Sequence, residues 1–147
     1  KDSNSGAFAI IGGLVYILLY FAAMLTFNSA VKIYILAISY MLIRAYSALA
    51  LIVFKNARGS VLAFEFSKKS LIYTNRAVLI IFILLGSAAM IIVNVNYGLL
   101  CAISTFLVFL YYRVKSFEEF GGITGDLAGY FLQLAELVVV LVLALAP

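Results

Sequence analysis

Long apolar stretches dominate the chain and are separated by short polar ones. Five apolar runs stand out, over residues 8–27, 33–54, 78–95, 98–112 and 127–146. Most of them are close to the ~20 residues that an α-helix needs to cross a ~30 Å hydrocarbon layer, and the fourth is shorter. The pattern predicts an all-α protein with about five membrane helices. The fourth run is expected to be either strongly interfacial at its ends or partly re-entrant.

The length and uniformity of these runs favour helices over strands. Lipid offers no hydrogen-bond partner to backbone amides, so only α-helices and closed β-barrels span membranes. The runs are too long and too uniformly apolar for barrel strands, which alternate between apolar and polar positions. The single proline is Pro147, so no run carries a proline kink. We therefore predict one membrane-embedded helix bundle over residues 1–147.

Composition agrees with this prediction and narrows the chemistry. Of the 147 residues, 67% are hydrophobic and 11% are charged, far from the roughly half-apolar composition of soluble domains. Histidine is absent, which excludes histidine metal sites and histidine-based nucleophile systems. Cys101 is the only cysteine and lies in an apolar run. No disulfide can therefore form within the chain, and we interpret Cys101 as a buried spacer thiol.

The distribution of basic residues predicts the orientation. With five spans, the N-terminus and the loops 55–76 and 113–126 share one side, which holds Lys1, Lys55, Arg58, Lys68, Lys69, Arg76, Arg113 and Lys115. The opposite side holds only Lys32. Basic loops usually remain in the cytoplasm. We therefore predict a multi-pass protein of the cell membrane whose N-terminus is cytoplasmic and whose C-terminus is outside, with no nucleic-acid surface.

Two ionisable residues are predicted to lie inside the lipid bilayer. Arg44 lies 10 residues before the end of the second run, and Glu136 lies 10 residues after Asp126. At ~1.5 Å per residue both are ~15 Å deep, where a charge costs at least ~2.5 kcal/mol. We therefore predict an Arg44–Glu136 ion pair. It either fastens two helices together or lines a polar pocket open to the cytoplasm, which the shared helical face of Asp126, Gly129, Gln133 and Glu136 favours.

The polar segment before the last run is rich in glycine, and it reads Gly121-Gly122-Ile123-Thr124-Gly125-Asp126. Successive amides at the start of a helix can bind a phosphate where glycines allow close approach, and Asp126 can hold Mg²⁺ or act as a base. No Gly-Lys-Ser/Thr follows, so the segment is not a P-loop. Two structural explanations stay open: the glycines can serve helix packing, and Asp126 can be a helix cap.

Two stretches of the chain together resemble one family. The run Gly-Gly-Ile-Thr-Gly-Asp-Leu-Ala-Gly over residues 121–129, followed by Glu136 and an apolar tail, resembles the C-terminal signature of cobalamin synthase, adenosylcobinamide-GDP ribazoletransferase. Lys1-Asp2-Ser3 with Gly6 resembles the family's basic-Asp-Ser-x-x-Gly segment, and Arg44 matches an arginine that the family carries. The order and approximate spacing agree along the whole chain.

The resemblance implies a Mg²⁺-dependent membrane transferase of late cobalamin biosynthesis. Such enzymes join adenosylcobinamide-GDP to α-ribazole or its 5′-phosphate and release GMP, a phosphoryl transfer that needs positioning and charge neutralisation more than a covalent nucleophile. The competing hypotheses are a piece of a small transporter or channel, in which Arg44 and Glu136 line a path, and a non-catalytic membrane scaffold. The oligomeric state stays open, a homo-oligomer included.

The resemblance also implies roles for individual residues. Asp126 and Asp2 are the expected metal ligands or base, and Arg44 with Glu136 is expected to support them in the catalytic site. The expected contacts to phosphate and substrate come from Lys1, Ser3, Lys115, Gly122, Thr124 and Gly125.

The chain also departs from the family pattern. The family's Asp-Gly-x-x-Asp-Thr-x-Asp-Gly segment, which lies ahead of the position of Lys1, is missing, so the chain alone is expected to be inactive. It begins at Lys1 rather than methionine and lacks a signal-peptide pattern, so we expect the C-terminal part of a longer protein. Gln133 stands where many members carry a glutamate, and Ile43 replaces a serine that often precedes the arginine. Both departures count against a role in the chemistry for these two positions.

Overall fold

The computed structural model describes residues 6–55 and 69–146, with side chains in the second range from residue 72 onward. This part contains five α-helices: α1 Ala7–Leu25, α2 Ala30–Val53, α3 Lys69–Val93, α4 Val95–Phe120 and α5 Gly125–Leu145. All five are long and apolar enough to cross a membrane. The predicted all-α transmembrane bundle is confirmed, and the chain is a multi-pass membrane protein.

The helix bounds differ most from the predicted runs in α3 and α4. α3 begins at Lys69 rather than near residue 78, and α4 is the longest helix at 26 residues. The apolar run of α4 ends at Tyr112, but the charged residues that follow are good helix formers and extend the helix as a polar segment. α4 is therefore long enough to span the bilayer and needs no re-entrant geometry.

α2 lies at the centre of the bundle. It packs against α3, α4 and α5, whereas α1 packs mainly against α5. Half of the most apolar window of α2 is buried, against 6% in α1 and 6% in α3. α1 and α3 therefore direct most of their apolar surface outward, as lipid-facing helices do.

An aromatic cluster joins α2, α4 and α5 where α2 ends and α5 begins. The ring centroid of Phe131 on α5 lies 5.0 Å from that of Tyr112 and 5.9 Å from that of Phe109. Phe54, at the end of α2, packs against Phe109, Tyr112 and Phe117 of α4. Each such pair contributes about 0.5–1.5 kcal/mol beyond the area it buries. The cluster therefore fixes the polar loop before α5 relative to α2.

A tight turn closes the opposite end of the bundle. Asn94 alone separates α3 from α4, and its Oδ1 accepts a hydrogen bond from the Tyr97 N–H at 3.0 Å. A Cβ atom added to Gly98 would lie 2.4 Å from the carbonyl oxygen of Met90. Only glycine allows the two helices to come this close without a shift of the backbone.

Candidate active site

Two glycines turn the chain from the end of α4 toward the start of α5. Gly121 has a φ of 67°, a left-handed conformation that favours glycine. Its N–H donates a hydrogen bond to the Phe117 carbonyl, and the N–H of the buried Gly122 donates to the Ser116 carbonyl at 3.1 Å. This is a glycine-ended helix C-terminus that satisfies two carbonyls of the last turns.

A backbone hydrogen bond ties the loop to the end of α2. The Ile123 N–H donates to the carbonyl oxygen of Lys55 at 2.9 Å, and the Ile123 side chain is fully buried. The guanidinium of Arg113 lies 5.7 Å from the ring centroid of Phe54 at the same end of α2. The loop is thus held by both neighbouring helices, so its amides have fixed positions.

Thr124 is the N-cap of α5. Its Oγ1 accepts a hydrogen bond from the Leu127 N–H at 3.3 Å, and its carbonyl accepts one from the Ala128 N–H. The hydroxyl proton of Thr124 therefore remains available for donation. In the described part of the chain, the N–H groups of Gly125 and Asp126 donate no hydrogen bond. Amides and a hydroxyl at the positive end of a helix dipole suit a phosphate oxygen.

The glycines of the first turns of α5 leave an open surface around Asp126. A Cβ atom added to Gly125 or Gly129 would meet no atom within 4 Å. Asp126 is exposed and forms no ion pair with the described residues. Thr124 rather than Asp126 is therefore the cap, and neither Gly125 nor Gly129 packs against a described neighbour. The Asp126 carboxylate is accessible to a ligand.

The predicted ion pair between α2 and α5 is confirmed. Arg44 Nη2 lies 3.4 Å from Glu136 Oε1, and the two side chains are 65% and 19% exposed. The carboxylate thus contacts one guanidinium nitrogen, and most of the Arg44 side-chain surface remains exposed. An open arginine favours the polar-pocket interpretation, since a charge at mid-depth is costly when it faces lipid.

Tyrosines from α1 and α2 extend the polar surroundings of this pair. Tyr40 lies one turn before Arg44 on α2, and its hydroxyl is hydrogen-bonded to the hydroxyl of Tyr20 on α1. The rings of Tyr16 and Tyr20 neighbour each other on α1, with centroids 6.0 Å apart. Polar groups of three helices therefore meet at one level of the bundle.

The predicted polar face of α5 connects the loop with the ion pair. Asp126, Gly129 and Gln133 are exposed, and Glu136 is partly exposed. At ~1.5 Å per residue this face is ~15 Å long. The predicted phosphate loop and the predicted ion pair are thus the two ends of one continuous surface.

Lys115, a predicted phosphate contact, is already paired. Its ammonium forms an ion pair with Glu119 one turn further along α4. An i,i+4 pair on an exposed helix contributes only about 0.3–0.5 kcal/mol. A phosphate group can therefore compete with Glu119 for this ammonium.

Buried hydroxyls beneath the loop were not singled out in the sequence. Tyr112 and Ser116 are buried with their hydroxyl groups close to each other, and the hydroxyl of the buried Thr105 has no hydrogen-bond partner among the described residues. The Ser116 carbonyl accepts the Gly122 N–H, so Ser116 lies directly under the loop, and Tyr112 and Thr105 lie about one and three turns further from it along α4. Their spacing of i, i+7 and i+11 on α4 places them on one helical face and is the signal by which they could have been found.

The first turn of α5 offers one carboxylate, that of Asp126, as a candidate metal ligand. Asp2, with Lys1 and Ser3, lies outside the described residues, and within them no three acidic or cysteine side chains cluster. Mg²⁺ usually keeps several waters and binds through one or two carboxylates plus substrate phosphates. The exposed Asp126 carboxylate beside the Thr124 hydroxyl fits one ligand of such an ion.

Comparison with known proteins identifies relatives of the chain. The family model of cobalamin-5-phosphate synthase matches residues 1–144. Over 148 aligned residues the chain is 36% identical to the adenosylcobinamide-GDP ribazoletransferase of Lachnoclostridium phytofermentans. The alignment covers 99% of this chain and 56% of that relative, so the chain spans little more than half the length of this relative. No solved structure matches it.

Proposed function

Because the chain belongs to the cobalamin-5-phosphate synthase family, we propose that it is part of a membrane transferase that joins adenosylcobinamide-GDP to α-ribazole or α-ribazole 5′-phosphate. The observation that carries the proposal is the start of α5. There an available hydroxyl on Thr124, two amides and an exposed carboxylate on Asp126 meet on a loop held by α2 and α4. Family membership favours this function over a transporter piece or a scaffold.

The proposed reaction exchanges one P–O bond for another. A hydroxyl oxygen of the ribazole attacks the phosphorus atom that carries the cobinamide. The bond from that phosphorus to the oxygen shared with the guanylate breaks, and GMP leaves with that oxygen. The proton of the attacking hydroxyl passes to a base, for which the accessible Asp126 carboxylate is the candidate in this part of the protein.

The start of α5 is proposed to hold the diphosphate. The Thr124 hydroxyl and the N–H groups of Gly125 and Asp126 donate hydrogen bonds to phosphate oxygens. Gly122 allows the backbone of the loop to pass close to these oxygens. An anion at a helix N-terminus gains about 0.3–1 kcal/mol, and up to ~2 kcal/mol where it is partly buried. The Lys115 ammonium adds a positive charge to the site when it leaves its ion pair with Glu119 and contacts a phosphate.

Mg²⁺ fits this donor set and, when bound, supplies charge neutralisation on the transferring phosphoryl group. Asp126 and Asp2 are proposed to serve as its protein ligands or as the base. No three acidic side chains cluster among the described residues, and we expect the 147 residues alone to release no GMP. Arg44 and Glu136 are proposed to support the site by keeping the face of α5 polar over its whole length.

The loop is proposed to face the cytoplasm, where nucleotide substrates occur. The exposed Arg113 lies at the loop end of the bundle, and the opposite end carries the buried Lys32. A membrane-impermeant maleimide tests this in oriented vesicles, since the native Cys101 is fully buried. We expect Glu118→Cys to react only in inverted vesicles and Asn96→Cys only in right-side-out ones. The reverse pattern would contradict the proposed orientation, and the unmodified protein is the control.

GMP release by the full-length protein in lipid tests the proposed activity. The protein is incubated with adenosylcobinamide-GDP, either ribazole form and Mg²⁺, and both products are separated by chromatography. We expect GMP and the ribazole-joined cobinamide in equal amounts, and none after chelation of the metal. A folded, inserted protein that releases no GMP with either ribazole form would overturn the proposal.

A further inference from the structure

A buried lysine lies at the end of the bundle opposite the glycine-rich loop. Lys32, in the first turn of α2, is only 6% exposed. Its ammonium donates a hydrogen bond to the carbonyl of Ala146, at the C-cap of α5, with an Nζ–O distance of 2.9 Å. It also lies 5.1 Å from the ring centroid of Tyr97. Among the described residues, the groups that contact this cation are a carbonyl and an aromatic face.

The charge of Lys32 is not neutralised within the described part of the chain. The ion pairs found there involve Arg44 and Lys115. The described acidic residues lie at the loop end or along the polar face of α5: Glu118, Glu119, Asp126 and Glu136. A buried charge without a counter-charge costs several kcal/mol, and an ammonium has three donors. An anion that can reach Nζ is therefore expected to bind there.

A cavity of about 450 Å³ opens beside Tyr97 and Ala146, the two residues that contact Lys32, and Lys32 lies behind them rather than in the lining. It is lined by both partners of Lys32 and by two amides and two leucines, namely Tyr97, Ala146, Asn94, Asn96, Leu99 and Leu100. The amides lie at the start of α4, and the leucines lie one turn further along the helix. A ligand that fills the cavity needs a polar group beside the amides and an apolar group along the leucines. The lining thus favours an amphiphile over a free ion.

The position of the cavity identifies the class of amphiphile. Lys32 begins α2, Asn94 precedes α4 and Ala146 follows α5, so the cavity lies where the membrane helices end. Lipid headgroups lie at this level of a bilayer. We propose that Lys32 and this cavity bind the phosphate of an anionic phospholipid, with an acyl chain along Leu99 and Leu100. The site is separate from the proposed reaction and does not depend on it.

Lipid retention by the full-length protein, measured by native mass spectrometry and by thermal unfolding in micelles, tests this site. We expect phosphatidylglycerol to be retained and to raise the midpoint of unfolding, and phosphatidylcholine and inorganic phosphate to do neither. Equal effects of phosphatidylcholine would overturn the requirement for an anionic headgroup. Equal protection by inorganic phosphate would overturn the lipid assignment in favour of a soluble anion.

Two variants locate the binding at Lys32. Lys32→Met is expected to weaken phosphatidylglycerol binding about tenfold, the contribution of a charge-assisted hydrogen bond. Because this variant also loses the contact to Ala146, Asn96→Asp provides a second test: it adds a negative charge at the cavity, leaves Lys32 in place and is expected to weaken binding as well. Asn28→Asp, an exposed residue of the turn before α2, is the matched control. Unchanged binding in Asn96→Asp would overturn the proposal even where Lys32→Met fails to fold.

Discussion

The two ends of the helix bundle use the same kinds of residue in opposite ways. At the loop end, Gly125 and Gly129 face open space and the Asp126 carboxylate is exposed. At the other end, Gly98 lies against the backbone of α3 and Lys32 is buried. Helix packing explains Gly98, whereas no described neighbour explains the glycines of α5. This difference is why we place the reaction at the loop end and a structural lipid at the other.

The two cations show the same contrast. Arg44 has a carboxylate partner, yet 65% of its side chain is exposed. Lys32 has no described carboxylate partner and is 6% exposed. An exposed arginine inside a membrane span requires polar surroundings. The polar face of α5 and the tyrosines of α1 and α2 provide part of these surroundings. The charge of the buried Lys32, at a helix end, can be neutralised by an anion that reaches it from the membrane interface.

Gly98→Ala is expected to have the largest effect on stability. Its methyl group would collide with the backbone of Met90, and overpacking of this kind costs about 3 kcal/mol. Reversible unfolding of the full-length protein in mixed micelles measures the change. Gly12→Ala on α1, where an added Cβ meets no atom, is the control and is expected to change stability by at most about 1 kcal/mol. Equal effects of the two changes would contradict the distinction between a glycine packed against backbone and a glycine with free space around it.

Gly129→Leu is expected to show the opposite behaviour, with activity lost and stability kept. The leucine would fill the open face between Asp126 and Glu136, and misplacement of a substrate by about 1 Å can lower the rate ~100-fold. The value of kcat/KM for GMP release and the midpoint of thermal unfolding are measured together. Gly12→Leu, at an open glycine of α1, is the matched control and should keep activity. Full activity of Gly129→Leu would show that substrate does not use this face.

Charge reversal at Arg44 and Glu136 tests the pair that joins the two parts of the site. Each single reversal is expected to destabilise the protein by about 1–2 kcal/mol, between the values for exposed and buried pairs. Arg44→Glu combined with Glu136→Arg should recover most of that loss. A double variant no more stable than the single ones would mean that the two side chains are not energetic partners.

Substitution of the two N-cap residues is expected to have the smallest effects and compares the two ends of the bundle directly. Thr124 Oγ1 caps α5 at the loop end, and Ser29 Oγ caps α2 at the other end, where it accepts from the Val31 N–H at 3.3 Å. Thr124→Ala and Ser29→Ala should each lower stability by about 1 kcal/mol. Only Thr124→Ala should also lower kcat/KM, and Thr124→Ser should restore both. Equal activity in the two alanine variants would assign Thr124 a capping role alone.

Much of the bundle could be predicted from the sequence because membrane helices follow directly from apolar length. The Arg44–Glu136 pair was also predictable, since opposite charges at equal depth have few other partners. The polar end of α4 was not, because charged residues interrupt the apolar run after Tyr112 and the remaining apolar residues of 113–120 are too few to indicate a membrane span. The sequence alone also allows Asp126 as the cap of α5, and the structure assigns the cap to Thr124.

Contacts between distant parts of the chain set the limit of sequence reasoning. The hydrogen bond from Ile123 to Lys55 and that from Lys32 to Ala146 depend on how the helices pack. Lys32 was notable in the sequence only as the single basic residue of its side. No spacing rule connects it with a carbonyl at the other end of the chain, so its burial required the structure.

Replacement of Asp126 tests the central claim, that the loop end is the reaction site, most directly. The carboxylate is exposed and caps nothing, so Asp126→Asn should fold and insert normally. We predict that kcat for GMP release by the full-length protein falls by about 10²–10⁴-fold, the contribution of a lost catalytic base. Glu118→Gln, which removes an exposed carboxylate of α4, should retain full activity. Normal turnover by folded, inserted Asp126→Asn would contradict the assignment.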